Sequence, residues 1–431
     1  MFNHWIQKIQ EPTPIAPLLV FRIFFGAMMI FGTLRFMWLG WIEDHYIEPI
    51  FHFKYWGFEW IEPLSKTGLY VVHILMILGA LGVMFASKLL YRISAITLFI
   101  TFTYTELIDL TYYLNHYYFV SCVCLLLAIL PHQVAQSLHD FKTGVVPRWV
   151  ILIFKLQIAF VYVYAGLAKI NYDWLILALP LKIWLPANSS MPVIGEIFTW
   201  KITPYIFSWF GMLYDCLIVF FLAYRKTRVW AYITVIIFHS LTGLLFQIGI
   251  FPLVMMGGTL IFFDWSKWTQ KQNFQPIEKL KTLTFYKAFL GVYFLFQILF
   301  PWRFLLYDEK LFWTEQGYRF GWRVMLMEKA GTATFYVKNI QTGKETMVDN
   351  REFLNAHQEK QMAMQPDMIL QFAHFLGKYY EKQGLGTPQV RVEAYVTLNA
   401  RPSALLIDPK IDLMKEKDTF KTKKWIMPYP Y

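Results

Sequence analysis

Cysteine and charge are what this chain has least of. Its 431 residues include three cysteines, Cys122, Cys124 and Cys216, and each falls inside an apolar run. That excludes a disulfide framework, and with no histidines at ligand spacing it excludes a cysteine-based metal site. Charged residues make up 16% of the chain, against about 25% in soluble domains, which excludes an ordinary soluble fold. There is no Gly-rich phosphate loop, no His/Glu zinc motif and no nucleophile elbow, so the commonest ATPase, metalloprotease and hydrolase chemistries have no anchor. No period of about 20 to 50 residues repeats. The first apolar run begins near Ile15 without a small-residue cleavage site, and reads as a retained span.

Hydrophobicity fills the space. The composition is 57% hydrophobic and 19% aromatic, with a formal net charge of +11. In a membrane protein such an excess belongs to cytoplasmic loops facing anionic lipid, not to nucleic-acid binding. Nine apolar runs are expected to be transmembrane helices: 15–39, 67–86, 93–110, 117–130, 149–168, 205–224, 230–248, 251–263 and 285–300. Basic residues cluster at Lys88/Arg92, at Lys142/Arg148, at Arg225/Lys226/Arg228 and at Lys267/Lys271/Lys279/Lys281. Alternating spans put all four clusters on one side, which makes the N-terminus cytoplasmic and everything beyond Pro301 extracytoplasmic. The expected class is mostly α: a membrane domain over 1–301, then an α+β domain over 302–431. In the latter, 332–338 and 345–348 read as one antiparallel hairpin, 391–398 and 403–407 as another. Between them, Pro366 and Asp367 open a helix running to about Gln383, with Gly384 as its stop.

Polar residues that share one membrane depth are the functional candidates. Lys169 ends the fifth run and is followed at once by INYDW, while Asn115 and His116 open the fourth run at the same face. A fully inserted lysine costs ~2.5–3.5 kcal/mol, so it marks a function or snorkels. Desolvation lowers a lysine's proton affinity and makes it a possible base. Tyr162, Ala165 and Gly166 lie on the same helix face as Lys169. The two small residues leave room for a flat ligand, or let helices pack closely. His239 sits in mid-span, either as an interhelical donor or as cavity lining; Asp215 reads as structural.

Together these segments resemble the vitamin K-dependent gamma-glutamyl carboxylase family, whose membrane part is the HTTM domain. LNHYYF carries its Asn-His pair (Asn115, His116), AGLAKINYDW its catalytic-lysine segment (Lys169), and the stretch from His239 to Phe251 its His…Leu-Phe-x-Ile-Gly-x-Phe span. YRFGWRVMLMEKAG from Tyr318 resembles the glutamate-substrate region, and VRVEAYVTLNARPSALLIDPKIDL from Arg391 the closing hairpin. The animal enzymes are longer, with a further C-terminal part that recognises propeptides, so this chain is similar to the compact bacterial members.

The resemblance implies a lyase that couples oxygen-dependent epoxidation of a reduced naphthoquinone (vitamin K or a menaquinol type) to addition of CO2 to glutamate side chains, giving gamma-carboxyglutamate without a metal. It implies Lys169 as base toward the quinol, His116 as manager of protons at the glutamate, and Asn115 as orienter of the quinone oxygen. Tyr162, Ala165, Gly166, His239 and Phe251 would surround the quinol. Arg323 would hold the substrate carboxylate between apolar walls made by Trp322 and Met325. The implied partners are the bilayer of a bacterial inner membrane, the quinol and a glutamate-containing peptide or protein, with the chain as monomer or homodimer. Two alternatives stay open: a quinol epoxidase or oxidoreductase that does not carboxylate protein, and a non-catalytic quinone- or lipid-binding protein or transporter.

Overall fold

A computed structural model describes residues 7–131, 137–246, 248–265, 283–386 and 388–431. The fourth basic cluster (Lys267 to Lys281) and Gln247 lie outside the described residues. The helices are α1 (Ala16–Trp38), α2 (Lys66–Phe85), α3 (Lys88–Ile108), α4 (Asn115–Ile129), α5 (Arg148–Ala168), α6 (Thr203–Ala223), α7 (Arg228–Phe246), α8 (Phe251–Gly258) and α9 (Leu283–Leu299). All nine apolar runs are therefore helical, but among the described residues six helices are long and apolar enough to cross a bilayer: α1, α2, α5, α6, α7 and the segment begun by α9. The expectation of nine crossings is thus confirmed for six of the runs by length and composition, and not for α3, α4 and α8. α4 has 15 residues, which at 1.5 Å per residue falls short of a hydrocarbon core of about 30 Å. α8 has 8 residues, and α3, with 21 residues, begins at Lys88 and carries Arg92 in its second turn and Glu106 near its end.

One buried cation organises the first three helices. Arg22 of α1 is fully buried; its Nε donates to the Val83 carbonyl at 2.8 Å and its Nη2 to the Ala86 carbonyl at 2.7 Å. The carbonyls at the end of α2 have no partners within the helix, so the guanidinium both satisfies them and complements the negative end of the helix dipole. It also lies 4.2 Å from the centroid of the Tyr91 ring on α3. Nearby, β1 (Pro12–Pro14) pairs antiparallel with β2 (Val145–Pro147), closing the same end of the bundle.

The C-terminal part is an antiparallel sheet backed by a helix. Strands β3 (Lys329–Asn339), β4 (Glu345–Met347), β5 (Pro388–Leu398) and β6 (Ala404–Leu405) run in the order β4-β3-β5-β6. Both expected hairpins form, with Val337 opposite Thr346 and Val396 opposite Ala404. The long central pairing, from Lys329 opposite Leu398 to Asn339 opposite Pro388, joins them. Alternate β5 residues are buried against α10 (Pro366–Tyr380), where Phe372 meets Phe335 edge-on at 5.1 Å. α10 stops three residues before the expected end and turns through Gly384 at φ 86. At its other end the Arg319 guanidinium, 2.5 Å from Asp367, holds that carboxyl down at about 2 against the effect of burial.

This second core is not built from C-terminal residues alone. Phe53, Tyr55 and Leu110, from loops at one end of the helix bundle, are buried in it. Polar staples tie the two parts together: Lys54 and Gln371 exchange two hydrogen bonds at 2.8 and 3.0 Å, Asp109 accepts from Gln358 at 2.7 Å, and Asp173 accepts from both Asn399 and Arg401. A ring stack crosses the same interface: Trp41 on His45 (5.5 Å), His45 on Tyr112 (3.9 Å), Tyr112 on His357 (4.7 Å).

That interface carries a pH dependence. Burial pushes His45 and His52 down to about 4, and His357 down as well. Once unfolded, these rings bind protons below about 6.5, so docking stability falls as pH drops from there toward 4. Asp109, pushed up to about 6 by burial, acts in the opposite direction over part of that window. The three histidines outnumber it. Melting temperature in detergent should therefore decline between pH 6.5 and about 4, and His45→Phe with His357→Phe should flatten the decline. A flat wild-type profile contradicts this.

Candidate functional site

Lys169 is the residue that ends α5. Its backbone N–H still reaches the Gly166 and Leu167 carbonyls, and the chain then turns at once. Asn171 fixes that turn: its Nδ2 donates to the Ala168 carbonyl at 2.9 Å and its Oδ1 accepts the Trp174 N–H at 3.0 Å. Trp174 is thereby held with its ring centroid 5.4 Å from the Lys169 Nζ, and its own indole N–H donates to the Ser208 carbonyl on α6 at 2.9 Å. INYDW is thus a device for folding an indole back over the amine.

The amine does not snorkel. Lys169 is 6% exposed, and its Nζ is 2.8 Å from Asp215 Oδ2 on α6 and 3.3 Å from the Ala165 carbonyl. The two side chains meet as one buried ion pair, so the pair and not the lysine alone is the chemical unit. Asp215, read from the sequence as structural, is the partner of that amine. The signal was present, since an acid in mid-span needs a cation, and Lys169 is one helix away.

Gly166 shows why the helices come so close. A Cβ there would sit 2.5 Å from Cys216 Sγ and 2.7 Å from its backbone nitrogen. Of the two readings of the small residues, close packing describes Gly166, which faces α6 and does not border the cavity beside Lys169. Ala165 does line one: a cavity of about 90 Å³ with Tyr162, Lys169, Trp174, Asp215, His239 and Phe251 in its walls. Gly211 of α6 also borders it, and nothing lies within 4 Å of where a Cβ would stand. Tyr162 and His239 share a hydrogen bond of 2.8 Å, and the other ring nitrogen of His239 is buried without a partner among the described residues.

His116 and Asn115 line a second, larger chamber of about 580 Å³. Ile248, Phe251, Val324 and Met325 border both spaces and form the wall between them. The Phe251 ring lies 5.4 Å from His116 and 5.9 Å from His239. The expected lysine and histidine are therefore neighbours across one aromatic partition, not residents of one pocket. Asn115 is already engaged: its Nδ2 donates to the Arg323 carbonyl at 2.8 Å and its Oδ1 accepts from the Tyr113 hydroxyl at 3.2 Å. It anchors the strap that carries Arg323.

That strap covers both spaces, and its backbone is unusual. Glu315, Phe320, Trp322 and Met325 all have φ between 51° and 57°, a region that costs such residues about 1–3 kcal/mol each and is kept only where surroundings impose it. Trp322, fully buried, stacks on Tyr118 at 4.6 Å and anchors the strap; it lines neither cavity. Arg323 is 7% exposed, with its Nε unpartnered among the described residues and its guanidinium 4.2 Å from the Phe304 ring centroid. Burial brings it down to about 10, so it stays charged at neutral pH.

Removing either member of the Lys169–Asp215 pair leaves a buried charge alone, which costs about 3–5 kcal/mol, whereas replacing both by apolar groups is close to neutral. Lys169→Met and Asp215→Leu should each lower the melting temperature, and the double variant should recover most of the loss. Additive losses would show that the two side chains do not interact.

Residues 10–268 match the HTTM domain model, and residues 282–431 match the model of the vitamin K-dependent gamma-carboxylase lumenal domain. No solved structure matches the chain. Two family models in tandem leave only short stretches of the sequence unassigned. With its apolar helices, the chain is an integral membrane protein that belongs to the vitamin K-dependent gamma-carboxylase family.

Proposed function

We propose that this chain is a gamma-glutamyl carboxylase of the carbon–carbon lyase class, with a quinol site in the membrane part (1–301) and a substrate-holding lid (302–431). The observation that carries the reading is the buried Lys169–Asp215 pair on the wall of an apolar cavity, one aromatic ring away from His116. The cavity suits a flat, apolar, hydroxylated ring: Trp174, Phe238 and Phe251 give aromatic walls, and the open space beside Gly211 on α6 is the shape a ring edge fills. A bound reduced naphthoquinol, oxidised by O2, supplies a base strong enough to remove a γ-proton from glutamate, so that CO2 adds in its place.

The protein's share is proton handling and dryness. At rest the ammonium of Lys169 faces the carboxylate of Asp215. Lys169 passes a proton to Asp215 Oδ2 as it takes the hydroxyl proton of the quinol at Nζ. The proton ends on a neutral acid, and the ammonium remains to face the oxygen that lost it. The pair gains one positive charge and the oxygen that lost the proton one negative charge, so the dry site as a whole stays neutral and the two new charges face each other. His116, across Phe251, handles protons at the glutamate. Asn115 acts by holding the strap, and Arg323 holds the substrate carboxylate. Met325 and Val324 keep water from the site, without which the carbanion is quenched. Basic loops at the opposite end of the bundle support a cytoplasmic N-terminus and an extracytoplasmic lid.

The direct test is purified protein in detergent with reduced vitamin K, O2, labelled bicarbonate and a glutamyl peptide. Epoxide and fixed label should both form; epoxide without label identifies a quinol epoxidase instead. Lys169→Ala should abolish epoxidation, with partial return on adding a small amine, and full activity in that variant removes Lys169 from the reaction. His116→Ala should depress label fixation by about 100-fold or more, the range for a lost general acid–base group, and depress epoxidation less. Equal loss of both contradicts its place on the glutamate side. Gly211→Leu should fill the cavity and raise the quinol concentration needed for half-maximal rate.

A further inference from the structure

The connector that follows Lys169 and leads into α6 is not built like a loop in water. Residues 176–202 hold three charged side chains in 27 positions: Lys182, Glu196 and Lys201. The inner face is core, with Leu181, Leu185 and Phe198 buried beside Leu245 of α7 and Leu326 of the C-terminal part. The outer face is apolar too. Ile176, Trp200 and Ile202 are each more than half exposed, and Val193 is 99% exposed. Single exposed apolar residues are ordinary, but several on one connector mark a surface that something other than water covers.

The backbone of this connector serves its own polar groups. The N–H of Ser189 donates to the Pro186 carbonyl at 3.0 Å, that of Met191 to Asn188 at 3.1 Å, that of Gly195 to Met191 at 3.0 Å and that of Ile197 to Ile194 at 3.1 Å. Side chains take further carbonyls: Asn188 Nδ2 donates to the Trp184 carbonyl at 3.0 Å, and the Thr203 hydroxyl to that of Ile197 at 2.6 Å. A segment that leaves water must satisfy its backbone in this way. The turn is also tightly closed, since a Cβ on Gly195 would stand 2.2 Å from the Ser189 carbonyl oxygen. Val193 stands within that turn at φ 70°, a region that a β-branched residue keeps only where its surroundings impose it. The fold thus spends strain to present an apolar side chain outward.

We propose that residues 176–202 form an interfacial anchor, seated among the lipid headgroups with Val193 entering the acyl boundary, and that the partner of this surface is the bilayer itself. Continuity with a crossing helix carries the choice of partner. α6 begins at Thr203 and presents Ile206, Phe210 and Leu213 outward, so the apolar face of the connector runs on into a surface that meets lipid. Trp200 and Lys201 stand where the two join, an aromatic ring and a long-stemmed cation of the kind that favours a membrane–water boundary. Irregular backbone is kept out of the hydrocarbon centre, which puts the anchor at headgroup depth and not deeper. From its inner face Leu181 and Trp184 border the cavity beside Lys169. The anchor is thus the partition between that cavity and the lipid, whatever the cavity holds.

The test is fluorescence quenching on the full-length protein in phosphatidylcholine vesicles. A bimane label is placed at Val193→Cys, or at Ile340→Cys on the β3–β4 turn, an apolar side chain that is 58% exposed. Cys216 is replaced by serine in both, and Cys122 and Cys124 are buried. Lipid carrying a nitroxide high on its acyl chain should quench the label at 193 and leave the label at 340 bright. Aqueous iodide should do the reverse. Quenching of the label at 193 by iodide and not by the lipid nitroxide overturns the anchor, because the turn then stands in water. Protection from both quenchers also overturns it, because a second copy of the chain or another protein then covers the turn.

Discussion

A lysine and an aspartate, 2.8 Å apart and nearly sealed from solvent, set the terms for the rest of this molecule. Two charges withdrawn from water are tolerable only as a matched pair held in good geometry. Everything around them supplies that geometry. Gly166 lets α6 approach α5 closely enough for the carboxylate to reach. Asn171 turns the chain so that Trp174 covers the amine, and the Trp174 N–H fixes the cover to α6. The result is a polar pair set in an apolar wall, with its remaining open side facing a space of hydrophobic and aromatic character.

The C-terminal part belongs to this arrangement and is no appendage to it. Val324 and Met325 complete the partition begun by Ile248 and Phe251, so the cavities have walls only when the strap is seated. Seating requires several residues to hold left-handed backbone, which the Trp322–Tyr118 stack, the Asn115 amide and the Tyr113 hydroxyl on the Phe320 N–H together enforce. Strain kept in place by surrounding contacts is a means of pre-organisation. The same residues that stabilise the junction of bundle and lid therefore shape the site, and a loosened interface would admit water to it.

How much of this the sequence discloses depends on distance along the chain. Apolar periodicity finds every helix of the bundle, and the strand alternation with Gln341-Thr-Gly-Lys344 finds the first hairpin, because those signals are local. Nine apolar runs are legible there, while length and composition single out six helices among the described residues, since a run of 15 residues such as α4 is short against a bilayer. The eleven-residue pairing of β3 with β5 is invisible locally, being a contact between strands some fifty residues apart. Lys169 and His116 stand out as costly residues at a membrane face. Their relation does not, because it runs through Phe251, whose ring carries no sign of its neighbours. Asp215 lies 46 residues from Lys169, and only the rule that an intramembrane acid needs a cation could have joined them. The contacts of Asn115 with the Arg323 carbonyl and the Tyr113 hydroxyl are equally without a local signal, because the first of them joins residues 208 apart.

The most direct measurement is the quinol epoxidation rate of Asp215→Asn, a substitution that keeps shape and a hydrogen-bond acceptor but cannot receive the proton. With folding and quinone binding verified, the account requires a loss of about 100-fold or more at every pH tested, the range expected when a group that accepts a proton in the reaction is removed. Turnover at the wild-type rate would leave Lys169 acting alone, and the pair would then be a structural contact with no part in the chemistry.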